Sequence, residues 1–343
     1  MRLTCILASL RSYDSITSQQ ITRAMTPFVD AEELKRLLAP VDLVEAIKSV
    51  FSLNTPQPSR VHLSVPTHSN QDVTLLLMPA WNQRYIGIKL ATIHPDNAKL
   101  SIPSVHASYV LKDARTGQEL AMFDGNVLTK LRTAATSALA SSYLSRPDSS
   151  TLLMMGAGSL AYPLVLAHAA VRPIERVICW NRSATRRDRL VDELQDTTSL
   201  EVSISHDPES ALDMADIVSC ATLSRSPLFN SEAVRPGTHI DLVGAYTATM
   251  RETDTALITR SDIFVDTLEG AQNEAGDLIQ ASIDSDWTFE NIVSDLPRLC
   301  SGKHLGRRNA DAITVFKSVG ASIEDLAAAG LAWERLSSKG HKS

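Results

Sequence analysis

An α/β protein with a doubly wound parallel sheet is predicted from three observations. Short, wholly apolar runs alternate with amphipathic helical patterns from Thr151 onward; Ala, Leu and Val fill the apolar positions while aromatics are only 5%; and a glycine-rich turn joins the first apolar run to a helix. Continuous apolar runs of this kind suit strands covered by helices on both faces. The chain has 343 residues, enough at roughly 150 per domain for two domains.

Composition narrows the function classes. A hydrophobic content of 44% and a charged content of 21% are those of an ordinary globular protein. The formal net charge of −6 argues against nucleic-acid and membrane-surface partners, which call for basic patches. No apolar stretch reaches the roughly 18 residues that cross a bilayer. Cys5, Cys179, Cys220 and Cys300 are scattered, without a paired spacing or a neighbouring His, so no metal site is expected and a reducing, cytoplasmic location is. Residues 1–24 are rich in Ser, Thr and Arg and poor in acids, a composition shared by transit peptides. The preferred reading is a flexible extension before a folded protein that opens near Met25.

The first part reads as α+β. Asp30 precedes Glu32 and Glu33 as an N-cap with acids in the first turn, and Leu34, Leu37 and Leu38 supply an apolar stripe. Asp42 opens a second helix with Leu43, Ile47 and Val50 on one face, closed by Pro56 and Pro58. Strand patterns follow at 61–65, 73–78, 85–91 and 108–111, with Asp113 to Gly117 as a hairpin turn. An Ala-rich helix spans Thr129 to Leu144. Beyond it, strands at 151–155, 176–180, 202–204, 217–221, 239–243 and 263–266 alternate with helices at 184–194 and 208–214.

Directly after the first buried strand stands Gly156-Ala157-Gly158-Ser159-Leu160-Ala161, a G-x-G-x-x-A dinucleotide fingerprint. Gly156 permits the tight turn, Gly158 lets a pyrophosphate approach the backbone, and Ala161 lets the helix pack on the strand. The helix N-terminus offers its N–H groups to the phosphates. The next strand ends in neutral Asn181 and Arg182, with Arg186 and Arg187 one turn on, where an NAD-selective site carries an acid. Guanidinium groups there favour a 2′-phosphate, so NADPH is the expected cofactor and NADH the alternative. Thr222, Val243 and Gly244 end later strands at positions that can touch ribose or nicotinamide.

Arg60, Lys89, the run Leu128-Thr129-Lys130-Leu131-Arg132-Thr133-Ala134-Ala135, the Gly156 fingerprint, Thr222, Val243-Gly244, Glu274-Ala275-Gly276-Asp277 and Thr314 through Gly320 together resemble the ornithine cyclodeaminase/μ-crystallin family. The resemblance runs from about Met25 to the C-terminal helix. It implies a Rossmann-type doubly wound sheet (146–312) inserted in a discontinuous α+β substrate and dimerisation domain (25–145 plus 313–343), assembled as a homodimer. It also implies a small α-amino or α-imino acid substrate and a nicotinamide cofactor. On these positions it places Arg60, Lys89 and Arg132 at the substrate, with Lys89 and Arg132 catalytic, and it adds Thr133 and Ser318 to the cofactor contacts.

The chemistry of those residue types agrees. A guanidinium clamps a planar carboxylate with two parallel hydrogen bonds, and a desolvated lysine can hold or donate a proton. Taken alone, the alternation Ile86, Ile88, Leu90 turns Lys89 toward solvent. His94 and His106 could assist proton transfer, though a structural role is the plainer reading. Glu274 and Asp277 read as capping or interdomain contacts. One departure from the family stands out. Cyclodeaminases carry an Asp two residues after the glycine matched by Gly244, and here that position is Tyr246. A phenol near neutral pH is no anion, so it cannot pair with a second ammonium. The expected reaction is therefore reduction of a cyclic ketimine, Δ1-pyrroline-2-carboxylate or Δ1-piperideine-2-carboxylate, to proline or pipecolate. A linear amino-acid dehydrogenase, an N-alkylamino-acid synthase and a non-catalytic NADPH-binding crystallin are the alternatives.

Overall fold

The computed structural model describes residues 26–53, 57–67, 72–100 and 102–340. The expected N-terminal extension, Met25 and the Pro56 helix stop lie outside the described residues. Two sheets organise the rest.

The first sheet is six-stranded, in the order β1-β6-β5-β4-β3-β2. Its strands are β1 (Phe28–Val29), β2 (Val61–Val65), β3 (Val73–Trp81), β4 (Tyr85–Ile93), β5 (Val105–Asp113) and β6 (Glu119–Asp124). From β2 to β6 it is an antiparallel meander, as the hairpin signals predicted, and β1 adds a short parallel edge. Asp30 caps α1 (Ala31–Leu37) by accepting from the Glu33 amide, and α2 (Pro40–Ser52) follows with Leu43, Ile47 and Phe51 buried. The Ala-rich helix α3 (Gly125–Leu144) starts earlier than its periodicity suggested, because Asp124 caps it through the amides of Asn126 and Val127.

The second sheet is eight-stranded and wholly parallel, in the order β13-β12-β14-β11-β10-β7-β8-β9. Its strands are β7 (Thr151–Met155), β8 (Arg176–Trp180), β9 (Glu201–Ile204), β10 (Ile217–Cys220), β11 (His239–Leu242), β12 (Asp262–Val265), β13 (Ser294–Asp295) and β14 (Thr314–Lys317). Helices α4 (Ala161–Val171), α5 (Ala184–Thr197), α6 (Pro208–Leu212), α7 (Thr255–Arg260), α8 (Leu268–Glu274), α9 (Gly276–Asp284) and α10 (Leu296–Cys300) connect them. This is a Rossmann-type doubly wound sheet, reversing at β7 and β10, with β7, β10, β11 and β14 buried along their whole length.

The C-terminal segment needs a correction. An insert ending at 312 would return residues 313–343 to the first unit, yet β14 is hydrogen-bonded between β11 and β12. Val315 and Phe316 are fully buried there, and that burial keeps the strand in the second sheet. Only after Lys317 does the chain cross back, as α11 (Ser322–Gly340), which packs on β3, β4, α2 and α3.

One face of the first sheet stays open. Val61, Leu63, Trp81, Ile86 and Leu90 are all more than 40% exposed. Cross-strand registers Val61↔Leu77↔Leu90 and Trp81↔Ile86 put these residues on one face. Among the described residues no helix is long and apolar enough to cross a membrane, and no group of side chains could hold a metal.

Candidate active site

The fingerprint turn is built as its glycines require. Gly156 has φ +114°, and a Cβ there would lie 2.7 Å from the Ala221 carbonyl oxygen. A Cβ on Gly158 would meet nothing within 4 Å, which leaves open space in front of its backbone. No side chain caps the start of α4 at Leu160 and Ala161; the Ala161 amide turns back to the Gly158 carbonyl at 3.1 Å, and Pro163 carries no N–H. The Ala157 amide donates to Asn181 Oδ1 at 3.2 Å, tying the turn to the end of β8. These features fit a dinucleotide diphosphate.

Around this turn opens a cleft of about 550 Å³, lined by Ala157, Gly158, Ser159, Lys130, Arg186 and Arg189 among others. Arg186 and Arg189 lie three residues apart on one face of α5. Arg187 points elsewhere, for it is 8% exposed and its guanidinium is bound to Asp188 Oδ1 at 2.9 and 3.0 Å. The expected cofactor contact from Arg187 is thus not brought into the cleft, while Arg182 is exposed beside it in sequence. Thr222, Val243, Gly244 and Ser318 gather at the carboxyl ends of β10, β11 and β14, and Thr133 is half-buried on α3 beside Arg132.

A second feature is a buried charge cluster. Across β3–β4, Lys89 sits opposite Met78 and shares its face with Tyr85, Gly87 and Ala91, all buried. Its Nζ lies 2.7 Å from Asp325 Oδ2 and donates a longer bond to Thr129 Oγ1 at 3.4 Å. Arg132, from the second turn of α3, donates through Nε to Asp325 Oδ1 at 3.0 Å and through Nη1 to Glu324 Oε2 at 2.6 Å. Asp325 therefore holds both cations, one on each oxygen. No hydrogen bond of Arg132 Nη2 is seen among the described residues.

Burial and charge set the protonation of this cluster. Desolvation pulls Lys89 down from 10.5 to about 8, against Asp325, which favours its ammonium, and with Arg132, which opposes it. Desolvation also disfavours the Arg132 cation, but Asp325 and Glu324 outweigh it and hold the guanidinium above its ordinary value. Asp325 stays below the usual carboxylate range because Arg132 and Lys89 overcome its burial. Burial raises Glu324 to about 7 despite Arg132.

Gly320 brings the third cation to the same place. It has φ +84°, and a Cβ there would lie 2.6 Å from Arg132 Nη1. Its carbonyl accepts a hydrogen bond from Arg60 Nη2, while Asp266 Oδ2 accepts from its amide at 2.6 Å. Arg60 and Arg132 thus approach Gly320 from two sides. A side chain at Gly320 would need both a strained backbone and a displaced guanidinium. Arg60 Nη1 is also paired with Glu274 Oε2 at 3.0 Å, the contact between the two units expected of Glu274. A cavity of about 440 Å³ is lined by Arg60, Glu274, His62, Gly320 and Met78 among others.

Two acids essential to this geometry, Glu324 and Asp325, escaped the sequence reading. They occupy the first turn of α11, where acids ordinarily serve the helix dipole in water, and no local signal marks them as buried. His94 and His106 are not brought in, since Lys89 finds its partners in Asp325 and Thr129, and His106 is exposed. Asp277 is buried and accepts from the Glu252 and Thr253 amides, a structural role as expected. Tyr246 is 41% exposed.

A parallel-sheet crevice with a bare phosphate turn, and a buried lysine–arginine pair beyond it, define a nicotinamide-dependent oxidoreductase. Residues 22–340 match the sequence profile of the ornithine cyclodeaminase/mu-crystallin family, and the chain belongs to that family. It is 38% identical over 313 residues to the Delta(1)-pyrroline-2-carboxylate reductase of Colwellia psychrerythraea, covering 90% of this chain and 98% of that one. Among solved structures it is similar to the Thermococcus litoralis Delta(1)-pyrroline-2-carboxylate reductase in complex with NADH and L-proline. That match has a TM-score of 0.86 and 30% identity over 92% of this chain and 98% of that one. An archaeal alanine dehydrogenase dimer with bound NAD superposes with a TM-score of 0.84 at 28% identity, over 92% and 97%.

Proposed function

We propose that this protein reduces the cyclic ketimines Δ1-pyrroline-2-carboxylate and Δ1-piperideine-2-carboxylate to L-proline and L-pipecolate, with NADPH preferred over NADH. The observation that carries the reading is the shared counter-ion, in which Asp325 holds Lys89 Nζ on one oxygen and Arg132 Nε on the other. A carboxylate clamp and a proton donor are thereby fixed next to each other, as an imine beside a carboxylate requires. Arg132, assisted by Arg60 once Glu274 yields it, receives the substrate carboxylate through charge-assisted hydrogen bonds. Lys89 holds a proton toward the imine nitrogen and so keeps the neighbouring carbon electrophilic. When bound, the nicotinamide supplies the hydride to that carbon. The cluster excludes water, since Lys89 and Arg132 are 4% and 5% exposed.

The relatives named for this reaction support the reading, as does Tyr246 in place of a carboxylate, which speaks against ornithine cyclisation. The alanine dehydrogenase likeness keeps one second reading in play, a linear keto acid with ammonium on the same clamp. NADPH oxidation is expected with either cyclic imine, and at least about tenfold more weakly with pyruvate and ammonium. The reverse preference would assign the chain to the linear class, and NADPH binding without turnover of any of these would leave a crystallin-like binding protein.

NADPH preference is assigned to Arg182 and to Arg186 on the cleft wall rather than to Arg187. Replacing Arg182 and Arg186 together by Ala is expected to raise the KM for NADPH by about tenfold or more while leaving NADH within about twofold. Equal losses for both cofactors, measured in steady-state assays, would remove the phosphate role. We also propose that the exposed apolar face of the first sheet pairs with a second copy in a cytoplasmic homodimer, a continuous patch of this kind being unusual on a monomer.

A further inference from the structure

Glu252 takes no part in the reading above, yet it is a fully buried acid at the end of the parallel sheet. Its Oε1 accepts from the Thr222 amide at 2.6 Å and from the Thr222 hydroxyl at 2.8 Å. Its Oε2 accepts from the Gly244 amide at 2.7 Å. Thr222 and Gly244 follow adjacent parallel strands, β10 and β11. One carboxylate therefore ties together two neighbouring strand ends on the carboxyl side, where a Rossmann-type sheet receives its ligand.

The tie is tight on both sides. A Cβ on Gly244 would lie 2.0 Å from the Thr222 carbonyl oxygen and 2.5 Å from Glu252 Oε1. A Cβ on Gly156 would lie 3.1 Å from Thr222 Cγ2. Glu252 thus bears on Thr222, and Thr222 bears on the phosphate turn. Behind it, Asp277 Oδ1 accepts from the Glu252 amide at 2.6 Å, and Lys317 Nζ lies 3.3 Å from Asp277 Oδ2 while donating to the Leu242 carbonyl at 3.2 Å. A buried carboxylate is costly to retain, and this one spends all its observed bonds on the cofactor end of the sheet.

We propose that Glu252 is a positioning residue of the cofactor site, setting the spacing of Thr222 and Gly244 against the Gly156 turn and hence the seat of the nicotinamide half of the dinucleotide. The inference rests on the nicotinamide reading. Glu252→Gln preserves the size of the side chain but sets an amide N–H₂ against a backbone donor, either at Gly244 or at Thr222. The KM and Kd for NADH and NADPH are expected to rise together, by about tenfold. The KM for the imine is expected to stay within about twofold. A role in stability alone would lower the Tm and leave cofactor Kd unchanged below the transition, and that outcome overturns the proposal. Glu252→Asp provides a second variant that keeps the charge on a shorter arm. It is expected to weaken cofactor binding in the same direction, and an unaltered Kd would overturn the proposal even if the Gln form does not fold. If the unsubstituted protein binds neither dinucleotide in a fluorescence titration, the nicotinamide reading itself fails, and Glu252 with it.

Discussion

Arg132→Lys is expected to lower kcat/KM for a cyclic imino acid by about three orders of magnitude while NADPH affinity stays within about twofold. The charge survives this substitution, but the guanidinium fork does not. Arg132 now bonds Asp325 through Nε and Glu324 through Nη1 and still presents Nη2. An ammonium on a shorter arm cannot meet two buried acids and a substrate carboxylate together. Glu324, already at about 7 through burial, would then bind a proton more firmly, and Asp325 would keep only Lys89. Breaking one partner of a buried pair costs about 3–5 kcal/mol, so a fall in Tm should accompany the kinetic loss. Arg132→Ala should lose at least as much. Full activity in steady-state assays of either variant would dismiss Arg132 as the clamp.

Lys89→Met is expected to lower kcat by about 10²–10⁴-fold, with the carboxylate still bound by Arg132. Methionine keeps the unbranched arm as far as Cε and removes the ammonium and its proton. The pH profile offers a separate check on the role. Desolvation brings Lys89 to about 8, and the proposed proton donation to the imine draws on its protonated form. In the reductive direction kcat/KM should therefore hold below pH about 8 and fall about tenfold per unit above it, because the free enzyme's acid is then lost. The Met variant should lack that limb. A limb unchanged in the variant would assign the titration, and the proton, to another group.

Much of this architecture is legible in local sequence, and its failures have physical causes. The run Thr151 to Met155, the Gly156 turn and Ala161 are contiguous, so their meaning survives without any knowledge of what packs on them. Lys89 is different. A period-two pattern shows that a strand has two unlike faces but not which of them meets the core. On β4 the branched residues Ile86 and Leu90 lie outward at 41% and 45% exposure, and the sparse face of Tyr85, Gly87, Lys89 and Ala91 is the buried one. The apolar side is spent on the open sheet surface, so the usual inference runs backwards there. Gly87 belongs to that inversion, because a Cβ on it would strike the Tyr109 hydroxyl at 2.0 Å.

Arg187 and Arg186 show the same limit on a helix. Adjacent residues on α5 point about 100° apart, and only the fold decides that Arg186 borders the cleft while Arg187 turns to Asp188. Asp325 and Glu252 lie further still from any local rule. Each is defined by partners from distant segments, Asp325 by β4 and α3, and Glu252 by the ends of β10 and β11.

The placement of β14 has a consequence for how the chain acquires its structure. This strand lies between β11 and β12 and enters the sheet from the last part of the sequence, and α11, directly after it, covers β3 and β4 near the beginning. A ribosome releasing the chain from its N-terminus therefore delivers every strand of the first sheet early but its α11 cover last, and the second sheet lacks β14 until almost everything has emerged. Pairing across such separations is slow because loop closure precedes its reward. The parallel sheet waits with a gap between β11 and β12, a pair of unfilled edges of the kind that invites aggregation. The two units therefore mature together, and the buried charge cluster, whose acids ride on α11, is among the last features to form.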